Sequence, residues 1–88
     1  MNNNNFKNLQ IFLKGLTKDG YTKEIFKIHK ENSIFYKTPT YHLHIRYTKG
    51  NKYWEINKEI FPNLTLQGFW VLKYENNKLI RKVYIKEY

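Results

Sequence analysis

The period of the apolar positions divides the chain in two. Phe6, Leu9, Phe12, Leu13 and Leu16 recur at spacings of three and four, opposite Lys7, Asn8, Gln10 and Lys14, which predicts one amphipathic helix from Phe6 to Thr17. Ile11 falls off the stripe. Asn5 is placed to cap the first turn, and Asp19-Gly20 to stop the last one, because glycine takes the left-handed conformation with which helices commonly end. Asn2 to Asn5 has nothing to bury and is expected as a disordered Asn-rich leader, residues 1–5, to a single domain over residues 6–88.

From Tyr21 onward β-branched and aromatic residues alternate with polar ones, in runs separated by Glu31-Asn32, Pro39, Gly50-Asn51 and Asn76-Asn77. The clearest hairpin joins Tyr41–Thr48 to Lys52–Asn57 through Gly50-Asn51, where glycine first suits a type II′ turn. That turn sets Tyr47 opposite Trp54, Ile45 opposite Ile56 and Arg46 opposite Glu55. A second hairpin turns at Asn76-Asn77 and pairs Glu75 with Lys78 and Tyr74 with Leu79. Its expected core face collects Trp70, Leu72, Tyr74, Leu79, Val83 and Ile85, interrupted by Arg81; its other face is mixed and carries Phe69, Val71, Lys73, Glu75, Lys78, Ile80, Lys82, Tyr84 and Lys86. A third hairpin is expected to turn at Glu31-Asn32, joining Glu24–Lys30 to Ser33–Lys37. Residues 58–67 contain Pro62 and follow no regular pattern, with Ile60 and Phe61 expected to plug the core. The predicted architecture is α+β: one N-terminal helix packed on an antiparallel sheet of about five or six strands built from hairpins.

Composition changes how the charge is read. Phe, Tyr, Met, Ile, Asn and Lys make up 49 of the 88 residues and alanine is absent, the signature of an AT-rich coding sequence. The net charge of +9 is therefore physically real but not by itself a sign of selection. Without cysteine, disulfides, thiolate metal sites and thiol nucleophiles are excluded. No apolar run approaches the ~18 residues of a membrane span, and residues 1–6 lack the pattern of a signal peptide, so a cytoplasmic protein without membrane contact is expected. Charge is spread evenly along the chain, which places any electropositive surface on the folded body.

Three groups could carry function. In the last hairpin Lys73, Lys78, Lys82 and Lys86 interleave with Phe69 and Tyr84. Lysines neutralise phosphates and rings stack on unpaired bases, so this face predicts binding of nucleic acid, single strands or RNA in preference, or of a nucleoprotein complex. With only Arg46 and Arg81 to read guanine in a duplex, sequence-specific duplex recognition is not expected. His42, His44 and Arg46 alternate along one strand, with Tyr53, Glu55 and Asn57 across the turn. Two imidazoles and a guanidinium could serve a small metal-free ribonuclease, although an alternating polar face is also the default for a solvated sheet. His-x-His with Glu55 is too small a ligand set to predict zinc, and no cofactor is expected. Finally, the many tyrosines suit a protein partner, such as the acidic surface of a host protein blocked by a mobile-element inhibitor, and an edge strand could pair two copies. The sequence favours a non-enzymatic binding module.

Overall fold

The computed structural model describes residues 6–32, 39–60 and 67–87. One helix, α1 (Lys7–Lys18), packs on one face of a five-stranded antiparallel sheet. The strands are β1 (Thr22–Asn32), β2 (Pro39–Lys49), β3 (Lys52–Ile60), β4 (Phe69–Glu75) and β5 (Lys78–Ile85), and they lie in the sheet in chain order. The protein is thus an α+β meander. No helix among the described residues is long and apolar enough to cross a membrane.

The helix forms where its apolar stripe can be buried. Leu9 and Leu16 are enclosed, and Phe6, Phe12 and Leu13 pack beside them, whereas Ile11 is 59% exposed. The C-terminus is closed by two nested hydrogen bonds, Tyr21 N–H to the Leu16 carbonyl (2.9 Å) and Gly20 N–H to the Thr17 carbonyl (3.1 Å). This reversal needs the left-handed backbone of Gly20, at φ 97°. The N-terminus departs from expectation. Phe6 occupies the cap position and makes no side-chain cap, and Asn5 lies outside the described residues. The first-turn amide of Asn8 instead donates to Glu87 Oε1 (2.6 Å), while Asn8 Nδ2 donates to the Lys86 carbonyl (2.7 Å). A carboxylate from the far end of the chain thus does the capping and meets the positive end of the helix dipole.

The central hairpin has the predicted register: Tyr47 opposes Trp54, Ile45 opposes Ile56 and Arg46 opposes Glu55. Gly50 has a φ of 60° and Asn51 does not, as a type II′ turn requires. Leu43, Ile45, Tyr47 and Ile56 form the centre of the core, and Phe12 meets Trp54 edge-on at 5.3 Å. β3 continues past its expected end through Lys58 to Ile60, which packs against the core; Phe61 lies outside the described residues.

Two expectations are overturned. Glu31-Asn32 does not turn: both residues extend β1, opposite Thr40 and Pro39 of β2, because the long β2 supplies a partner along the whole of β1. Ser33–Lys37 lies outside the described residues. The second correction concerns which face of the last hairpin is buried. The Asn76-Asn77 turn is as predicted, with both residues at positive φ and with Tyr74 opposite Leu79. A bulge then shifts the register between Lys73 and Tyr74, so that Lys73 opposes Arg81 and Ile80 is the extra residue. Beyond it Val71 pairs with Val83 and Phe69 with Ile85, on the helix side, where Phe69 (1% exposed) and Val71 join the core. Trp70, Leu72 and Tyr74 consequently sit on the face away from the helix.

Candidate functional site

The sheet face opposite the helix carries most of the chemistry-bearing side chains. On β2 it presents His42, His44 and Arg46, on β3 Tyr53, Glu55, Asn57 and Glu59, on β4 Trp70, Leu72 and Tyr74, and on β5 Lys82 and Tyr84. Its two halves differ in character.

In the half formed by β1 to β3, Glu24, Glu31 and Glu55 each meet a basic side chain. Glu55 is buried although it lies on the open face, and its carboxylate is held from both sides by His44 Nε2 and Arg46 Nε. Arg46 also approaches Glu24 (3.6 Å) and lies over the Tyr53 ring at 4.6 Å. Burial opposes the Arg46 charge, but hydrogen bonding and attraction to Glu55, aided by Tyr53 and Glu24, hold its pKa above the ordinary value. His42 Nε2 pairs with Glu31 at 3.3 Å. The three polar residues expected on one strand face are therefore together, but Arg46 is committed to Glu55, and each of the two imidazoles has its outer nitrogen on a carboxylate. Among the described residues no three potential metal ligands converge.

The half formed by β4 and β5 is aromatic and basic. Trp70 and Tyr84 meet edge-to-face at 5.1 Å and remain 43% and 46% exposed, and Lys82 Nζ lies 4.9 Å above the Trp70 ring. Between this half and the other, Tyr53 and Tyr74 stack at 4.7 Å. From Phe69 to Lys86 the chain carries five cations and only one acid, Glu75, which is bridged to Lys73 (3.7 Å) and Lys52 (4.0 Å).

The six residues expected to share this surface are therefore divided by the bulge. Lys82 and Tyr84 lie on the open face, Lys78 begins β5 opposite Glu75, on the same face as Lys73, and Lys86 follows the strand. Phe69 does not: it is interior, 6.3 Å from Phe12. Lys73 faces the helix side, 5.5 Å above Trp54. Trp70 takes the place expected of Phe69. The signal that could have exposed it is the Val71–Val83 and Phe69–Ile85 pairing, which makes a continuous apolar face only if one residue of β5 is skipped.

At one end of the open face β3 outruns β4, since Lys58 to Ile60 pair with β2 alone on the described strands. A pocket of about 480 Å³ opens there, lined by His42, His44, Asn57, Glu59, Trp70 and Tyr84 together with Gly68. Gly68 shapes the wall. Its N–H donates to the Tyr84 hydroxyl at 3.0 Å, and a Cβ there would lie 2.3 Å from the Ile85 carbonyl oxygen and 2.7 Å from the Tyr84 ring. Lys58 also lines the pocket, from the helix side, and its buried ammonium donates to the Gln67 carbonyl and, at 3.4 Å, to that of Gly68. Burial lowers its pKa below the usual 10.5, partly offset by Glu87. No protein-family model, no curated protein and no solved structure matches the chain.

Proposed function

We propose that this is a non-enzymatic module that binds single-stranded nucleic acid, RNA above all, across the β4–β5 half of its open face. The observation that carries the reading is the pairing of two half-exposed rings, Trp70 and Tyr84, with the Lys82 ammonium of β5 on a sheet face that the helix leaves bare. Bases would stack on the rings while Lys78, Lys82 and Lys86 neutralise phosphates along the edge. The commitment of Arg46 and of both outer imidazole nitrogens to carboxylates supports binding rather than acid–base catalysis.

The test is a fluorescence-anisotropy titration of labelled single-stranded RNA, single-stranded DNA and duplex DNA at two salt concentrations, beside a basic control protein of similar charge. Trp70→Ala should weaken single-strand binding about 5- to 150-fold, the worth of one stacked base. Lys82→Gln should weaken it and lower the salt slope by about 0.7. Affinity no better than that of the control, or unchanged in Trp70→Ala, would sink the reading.

A further inference from the structure

The pocket at the end of the open face adds a second requirement to any ligand that lies across Trp70 and Tyr84. Its lining combines those two rings with polar side chains of β2 and β3. Its volume, about 480 Å³, lies in the range of small-ligand sites and leaves room for a nucleotide. Among the described carboxylates of the open face, Glu24 and Glu55 pair with Arg46, and Glu31 pairs with the His42 imidazole. Glu59 makes no hydrogen bond or ion pair within the described structure, although it stands directly opposite His42 in the register.

We infer that the pocket takes an unstacked guanine base, held by Glu59. The inference rests on the single-strand reading above and deepens it. An ionised carboxylate only accepts, and its two oxygens are best met by two parallel N–H groups. Guanine presents that pair, N1–H beside the N2 amino group, on its Watson–Crick edge. Adenine and cytosine set a ring-nitrogen acceptor next to their amino group, and uracil sets its lone N–H between two carbonyls, so each would turn an acceptor toward the carboxylate. The Trp70 and Tyr84 rings offer the stacking surface, and Asn57, which can donate and accept, adapts to the rest of the base edge. Reading a splayed-out base this way is open to single strands and closed to duplexes, whose Watson–Crick edges are occupied.

The experiment uses the full chain and labelled uridine strands of about 10 nucleotides, a length within the usual single-strand site sizes, either plain or carrying one central guanosine, adenosine or cytidine. The wild type should prefer the guanosine strand about 5- to 150-fold, the discrimination expected of a bidentate contact. Glu59→Gln, at an exposed position, should keep the thermal midpoint and the affinity for plain uridine while losing that preference. Equal binding of all four strands, or a preference that survives Glu59→Gln, would overturn the guanine pocket and leave the single-strand reading standing. Failure to bind any strand would overturn both. Binding of an arginine-rich peptide that depends on Glu59 and displaces no RNA would show that the carboxylate serves a cationic protein segment instead, and would overturn the inference.

Discussion

Phe69 and Trp70 are neighbours in sequence and opposite in role, so truncating each in turn tests the fold and the site together. Phe69→Ala empties a position that is 1% exposed and packed against Phe12 and Lys58. Removal of a buried phenylalanine costs roughly 3 to 5 kcal/mol. A chain of 88 residues is expected to have a total stability of about 4 to 13 kcal/mol, so the variant should be marginal. Trp70→Ala removes an edge contact with Tyr84, worth about 0.5 to 1.5 kcal/mol, and a cation contact with Lys82, worth about 0.5 to 1 kcal/mol. Urea unfolding followed by far-ultraviolet circular dichroism should place the loss for Phe69→Ala at about twice that for Trp70→Ala or more. RNA titration of the folded fraction should rank them the other way, with Phe69→Leu binding as the wild type does. If Phe69→Ala were nearly neutral for stability and Trp70→Ala severe, β4 would be facing the other way, and with it the proposed site would fall.

Lys58 gives a pH test. Burial sets its folded-state pKa below 10.5, so between the two values the unfolded chain holds a proton that the fold does not. The burial penalty is complete below the folded pKa and fades as pH rises towards 10.5. The stability of the wild type relative to Lys58→Met should therefore rise as pH increases from the lowered folded pKa towards 10.5, and a difference that shrinks in that direction would refute the account. Glu87→Ala removes the acceptor of the Asn8 amide and should cost about 1 kcal/mol, with faster hydrogen exchange at Asn8 that Glu87→Gln largely restores; unchanged protection at Asn8 would contradict the cap.

The parts of the fold legible in the sequence are those dictated by local chemistry. The helix stripe, the Gly20 stop, the Gly50-Asn51 turn and the central register each depend on residues within a few positions of one another. What escaped depends on distant partners. The run through Glu31-Asn32 has turn-like composition, and only the length of β2 keeps it extended. The bulge at Ile80 leaves no local mark, because Lys78 to Ile85 alternates acceptably in either register; the choice is made by β3, whose Ile56 needs Val71 beside it. Because a shift of one residue exchanges the two faces of a strand, this single feature moved Phe69 into the core and brought Trp70 out. The trio of His42, His44 and Arg46 was legible as a face, but the burial of Glu55 between two of its members was not.

The cap that Glu87 places on α1 also bears on the order in which the molecule is made. Every strand pairs with its immediate successor, so the sheet can grow by hairpins that close short loops, the fast kind of folding event. The start of the helix cannot be completed in this way, since its acceptor lies 79 residues downstream. The Asn8 amide can meet this acceptor only once β5 has been made and has docked. The hydrogen bond between Asn8 and Glu87 is thus a clasp fastened at the end, and its formation should report that the whole domain has closed.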